Sequence, residues 1–281
     1  MALRLFEKRQ TRAIALRQQA EELYARLKDA QLLRSVTGTP RRGQHTERKG
    51  GVGHDFWQYR DFQSGDHARA IDWKQSGKSD RLLIRQKEQE TQQRTAVWLQ
   101  NDPSMMFGTP SKYDCGAVIA LTLAMLCARH HDPLKLCGAG TVAVDTLTGI
   151  LSEATYKPRA DDLAAEEIFL IGDFLDPVDK LSPLFQAVPG GRRVHLIQIL
   201  DPAELDLPFQ GRVLFEHPGR MDNEEVLSVS GIRAAYLERL NAHLEAVRTV
   251  AVTQNWTYTL FRAGDDALPP LLDILQQGET A

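Results

Sequence analysis

The side chains that could do chemistry here stand at spacings that exclude most familiar mechanisms. Carboxylates are paired at Asp161-Asp162, Glu166-Glu167 and Asp265-Asp266. Two acids divide acid and base roles only where separate environments push their pKa values apart. Adjacent acids in loop-like stretches read more simply as solvated faces. His54, His67, His130, His131 and His195 lack metal-ligand spacing. His130-His131 close a helical run, where positive charge is favourable. Gly77-Lys78-Ser79 has the ending of a phosphate-binding loop, but Asp72 occupies the place of its first glycine. The sequence has no G-x-S-x-G elbow, no H-E-x-x-H pair and no EF-hand loop. The expectation is a protein that is not an enzyme.

The elements that must position any site begin at Thr95. Residues 95–99 form a short β-branched and aromatic run, and 113–129 an apolar helix. Residues 134–139 and 141–146 read as two strands hinged at Gly140. A buried strand over 167–172 is closed by Asp173. A helix over 177–188 follows, with Asp176 as its cap and Pro177 at its first position. Further strands fall at 194–200, 211–215 and 256–262, and helices at 231–253 and 268–276. Near-continuous apolar strands alternating with helices imply an α/β fold, a mostly parallel sheet covered on both faces. In such sheets a site lies beyond the carboxyl ends of the strands. That points to Gln100 through Ser104 after the first strand, and to Gly172-Asp173 after a later one.

Upstream, residues 6–36 carry Ile14, Leu16, Ala20, Leu23, Leu27, Ala30 and Leu33 near helical spacing, with charged residues opposite. An amphipathic helix lying on the domain is expected, or alternatively one that binds a partner. Residues 37–53 are glycine-rich and loop-like, and Arg41, Arg42, Arg48 and Lys49 make them basic. Cations in such a loop are more often solvated than bound to phosphate. The organisation is therefore a helix over 1–36, a middle segment over 37–94 and an α/β domain over 95–281.

At 281 residues, 42% hydrophobic and 25% charged, the composition is that of a soluble globular chain. A net charge of −3 disfavours nucleic acid and anionic membrane surfaces as partners. The best apolar run, 117–128, is short of the roughly 20 residues that span a bilayer. Residues 1–10 alternate apolar and charged positions, unlike a secretory signal. Cys115, Cys127 and Cys137 lack C-x-x-C spacing and read as buried free thiols in a reducing, cytoplasmic compartment.

Residues 59–73 hold Arg60, Phe62, Gly65, Asp66, Arg69, Ile71, Asp72 and Trp73, followed by Leu82, Leu83, Ile84, Arg85 and the acids Glu88 and Glu90. This resembles the DUF58 signature R-x-Y/F-x-x-G-D-x-x-R-x-I-D-W with its L-x-V-R-x-x-E-x-E continuation. Downstream, the run Ser104-Met105-Met106-Phe107-Gly108, the strand end at Asp173-Phe174 and the stretch from Tyr236 to Tyr258 resemble the same family, so the likeness covers about residues 35–275. The resemblance implies a von Willebrand factor A-like domain that acts with a MoxR-like AAA+ ATPase as an adaptor in assembly or maturation of other proteins. Many members carry N-terminal membrane helices, and this sequence resembles the short, soluble branch. Physically, Arg60, Asp66, Arg69 and Asp72 alternate in sign and suit a salt-bridged structural loop with Trp73 as apolar anchor, or else a partner-docking surface.

Domains of this type often hold Mg²⁺ on an Asp-x-Ser-x-Ser loop plus a distant Thr and Asp, and the hard cation suits such oxygen ligands. Here the pattern is degenerate. In one register Gln100 replaces the first Asp and Asp102 the first Ser. In the other, Met106, a soft thioether, takes the second Ser position. Any Mg²⁺ would rest on Asp102, Ser104 and Asp173. Otherwise Asp102, Pro103 and Ser104 merely cap the loop. Three readings follow: the adaptor, with its contact surface around residues 102–104 and 173–176; a metal-dependent phosphoester hydrolase using Asp102 and Asp173; and a domain whose N-terminal helix docks on a membrane-anchored von Willebrand factor A protein.

Overall fold

The apolar spacing near the N-terminus becomes helix α1, Ala2–Thr37. In this computed structural model the described residues are 2–37, 50–62, 71–78, 81–88, 95–153, 156–216 and 223–280. The chain divides into two compact units, Met1–Gly38 with Gln93–Ala281, and Thr39–Gln92. Helix α1 thus belongs to the sheet-containing unit. Its Leu16, Ala20, Leu23 and Leu27 are buried in the main core, in the same cluster as α3 (Lys112–Arg129). Ile14, placed by the sequence on the same stripe, is 58% exposed. Arg12 pairs with Asp114 at 2.8 Å and lies over the Tyr113 ring. Arg17 and Arg26 pair with Asp145 and Asp266 at the surface.

The central sheet has six strands in the order β10-β7-β6-β3-β4-β5. They span Thr95–Leu99 (β3), Leu134–Leu136 (β4), Gly140–Thr141 (β5), Glu167–Gly172 (β6), Arg193–Leu200 (β7) and Thr257–Arg262 (β10). All neighbours are parallel except β4 and β5. Successive residues point to opposite faces. Val97, Leu99, Phe169, Ile171, Ile197 and Ile199 join α1, α3 and α8 (Leu268–Thr280) on one face. Ala96, Ile168, Leu170, Val194 and Leu196 join α5 (Val178–Gln186) and α7 (Val229–Thr253) on the other. Burial on both faces is why these strands read as unbroken apolar runs. Numbering the strands from β3, the order is that of a doubly wound sheet, and the direction of winding switches between β3 and β6.

Several boundaries differ from the sequence expectation. The strand expected over 141–146 is only the end of β5, and α4 runs over Val144–Ser152. Leu147 and Leu151, one helical turn apart, are fully buried and favour the helix. Helix α5 starts at Val178 with Pro177 in the cap position and no side-chain cap, so Asp176 lies outside it. The strand expected over 211–215 is β8 (Val213–Glu216), while a short α6, Pro202–Asp206, and β9 (Asn223–Val226), paired antiparallel with β8, are elements the periodicity did not show. All three cysteines are free thiols. Burial raises each of them, Cys127 to about 11 and Cys137 to about 12.

In the second unit, β1 (Gly50–Asp61) pairs antiparallel with β2 (Leu83–Glu88). The Asp72 carboxylate caps α2 (Trp73–Ser76), accepting from the Gln75 N–H at 3.1 Å. Ile71 is buried and Trp73 is 65% exposed, so the apolar anchor of the signature is the isoleucine, not the tryptophan. The reason is the cap: once Asp72 starts a helical turn, its two neighbours point in different directions. Arg60 stands in β1 opposite Ile84. Gly65, Asp66, Arg69 and the basic stretch 41–49 lie outside the described residues.

Candidate functional site

Strands β3 and β6 end side by side at the switch in winding, the place where open α/β sheets put their ligands. Gln100 follows β3 and is buried. Its Oε1 accepts the Asp173 and Phe174 N–H groups at 3.0 and 3.2 Å, and its Nε2 donates to Asp102 at 3.1 Å. Such an approach requires glycine at 172, since a Cβ there would fall 2.3 Å from the Gln100 Oε1. The turn that follows is clamped from every side. Gln198 donates to the Asp173 carbonyl at 2.7 Å, and His243 to the Phe174 carbonyl at 2.7 Å. Phe174 is held at φ 47°, a strained region for a non-glycine residue, and its buried ring stacks on Trp98.

The charge at the centre of the site is Lys112, in the first turn of α3. It is fully buried, and its Nζ donates to Asp173 Oδ2 at 2.9 Å and to Glu204 Oε1 at 2.6 Å. Asp173 itself is 1% exposed. Glu204 comes from α6, where its other oxygen accepts the Asp201 N–H at 2.8 Å in a capping box. Burial pushes the Glu204 carboxyl above its ordinary range, against the pull of Lys112. Helix α3 delivers the lysine rigidly: Ser111 caps it, and Gly116 brings it against Leu99 and Ile171 of the sheet.

Of the expected ligands, Asp102 and Asp173 are linked only through Gln100, and neither is a free carboxylate of one site. Asp173 is committed to Lys112. Asp102 is exposed beside the 3-10 turn Pro103–Met106, makes no cap bond there and accepts from Gln100 instead. Ser104 is partly exposed on the same turn. A hard divalent cation needs a set of free oxygens. Here Asp173 carries a buried ammonium, Gln100 at the first Asp position of the loop is a neutral amide already spent on the Asp173–Phe174 backbone and on Asp102, and Met106 supplies a thioether. Among the described residues no three His, Cys, Asp or Glu side chains cluster as a metal site. These residues do not fit Mg²⁺. They do not fit a two-carboxylate hydrolase either, because Asp173 is closed to substrate.

Sequence reasoning missed Lys112, Glu204, Gln198 and His243. One signal was available for the first. A lysine in the opening turn of a helix opposes the helix dipole, and so needs an anionic partner. Beside this cluster an open cleft of about 590 Å³ runs past Gly108, Thr109, Asp201, Pro202 and the Asp206–Arg262 ion pair. Met106 and Phe107, on the loop that leads into it, are exposed.

Fold and site together define a doubly wound α/β protein whose switch point is closed by a buried ion cluster. Residues 58–148 match the family described as a protein of unknown function, DUF58, which bears out the resemblance carried by the signature and the loop after β3. Uncharacterized proteins of Mycobacterium tuberculosis and Mycobacterium bovis are 26% identical to the chain over 202 residues, 62% of this chain and 63% of theirs. The match thus spans less than two thirds of those relatives' length. A solved structure, the conserved hypothetical protein BatB from Bacteroides thetaiotaomicron, aligns with 67% of this chain and 99% of its own at 10% identity. Its TM-score of 0.37 is too low to argue from. No helix among the described residues is long and apolar enough to cross a membrane.

Proposed function

We propose that this chain is a non-catalytic, protein-binding adaptor of the DUF58 type with a von Willebrand factor A-like domain, acting in the cytoplasm with a MoxR-like AAA+ ATPase in the assembly or maturation of other proteins. The observation that carries the reading is the contrast at the rim. Lys112 and Asp173 are buried against each other, with Glu204 completing the cluster, while Met106 and Phe107 on the adjoining loop are 39% and 41% exposed. A site that spends its buried charges on one another and presents apolar side chains outward suits recognition better than turnover.

Asp173 belongs to the internal scaffold in this reading, and the docking surface is the loop from Asp102 to Phe107. The test is co-purification and calorimetry with a MoxR-like AAA+ ATPase from the same organism. Binding is expected, and Met106→Ser with Phe107→Ser should weaken it about tenfold or more. No complex at micromolar concentrations would remove the adaptor reading. Equal binding by the double variant would move the surface elsewhere. The membrane-anchored partner reading gives the docking role to the N-terminal helix. With Leu16, Leu23 and Leu27 buried in the core, the apolar side of that helix is spent on its own domain, which disfavours this reading.

A further inference from the structure

We infer that the Lys112 ammonium is a built-in replacement for a divalent cation, so that the rim of the sheet takes its shape without metal. This inference stands apart from the adaptor reading and survives its failure.

Three features of the geometry carry it. First, the ammonium lies at the switch point, bonded to Asp173 at the end of β6 and to Glu204 of α6 at 2.9 and 2.6 Å, and so ties a strand end to a neighbouring helix as a cross-linking ion would. Second, its placement is costly and therefore needs compensation. A lysine in the first turn of α3, fully buried and set against the dipole of its own helix, is tolerable only where carboxylates meet it. Third, the surroundings are adjusted to a cation that is already present. Gln100 is neutral, and it uses its amide to hold the Asp173–Phe174 backbone and Asp102 rather than to add a further buried carboxylate. The cluster keeps one net negative charge, but the ammonium occupies the two carboxylate oxygens, Asp173 Oδ2 and Glu204 Oε1, that would face a second cation.

The consequence is that the rim is insensitive to chelators. Removing the ammonium should unmask the Asp173 and Glu204 carboxylates as an acceptor for a hard cation. The experiment is thermal unfolding and calorimetry of the full chain in EDTA, in millimolar Mg²⁺ and in millimolar Mn²⁺. Wild type should show the same midpoint in all three and no heat of binding. Lys112→Ala should melt lower in EDTA and recover about 5–10 °C with Mn²⁺, with a single binding event by calorimetry. Lys112→Met with Asp173→Asn removes both opposite charges and should be unresponsive to either metal. A wild-type midpoint that rises with Mg²⁺ or Mn²⁺ and falls back in EDTA overturns the inference, and needs no variant to be folded. So does a folded Lys112→Ala that gains nothing from either cation, or a double variant that still takes up Mn²⁺.

Discussion

Two sets of ion pairs in this protein look alike in sequence and differ in physical consequence. On the outside of α1, Arg17 reaches Asp145 and Arg26 reaches Asp266, with all four side chains at least 45% exposed. At the rim, the fully buried Lys112 meets Asp173, 1% exposed, and Glu204, 17% exposed. Water screens the first set, and holding long side chains in place offsets most of the attraction. The second set has given up its hydration, so each partner depends on the other. The difference teaches that the helix is held on by Leu16, Leu23 and Leu27, with Arg17 and Arg26 adding little, whereas the partners at the rim cannot be separated without leaving a buried charge.

The sharpest way to break that comparison is Lys112→Met, which leaves Asp173 buried without its cation. We expect a loss of about 3–5 kcal/mol in urea unfolding. A loss below about 1 kcal/mol would place the pair with the surface bridges. Next comes Leu27→Ala, which hollows the α1 interface and should cost about 3 kcal/mol by the same assay. Gln100→Ala orphans the Asp173 and Phe174 N–H groups, and about 1–3 kcal/mol is expected, with faster hydrogen exchange at those two amides.

A pH series sharpens the contrast at the opposite end of the sheet. Glu167 begins β6 and lies 3.2 Å from the buried His195, which also bonds Thr257 at 2.7 Å. Burial pushes the Glu167 carboxyl up, but His195 and Arg193 outweigh it, and the net direction is below the ordinary 4.5. A depressed folded pKa means that the unfolded chain binds more protons as the solution is acidified. The stabilisation is therefore present above about pH 4.5 and lost as pH falls through the folded value. Glu167→Gln should flatten the acid limb of the urea midpoint as pH falls below the ordinary 4.5. The smallest expected effect belongs to Arg26→Ala and Arg17→Ala, whose unfolding midpoints should match wild type in moderate salt; a clear drop for either would overturn the view of α1 as apolar-anchored.

The strands β3, β6 and β7 were legible because burial on both faces writes itself as an unbroken apolar run, and α1, α3 and α7 because a half-buried helix writes itself every three to four residues. Position 173 was legible too, as an acid closing a buried strand in a parallel sheet. The DUF58 match rests on residue identities at fixed spacing and needed no structure. What the sequence could not decide was how those residues are used. Lys112 and Asp173 are 61 positions apart, and Glu204 lies on a short helix that periodicity did not reveal. Ionic partnership is a matter of distance and solvation, and neither exists until the sheet brings three separate strand ends to one rim. Only the folded chain could turn a degenerate row of metal ligands into a closed cluster with its own cation inside.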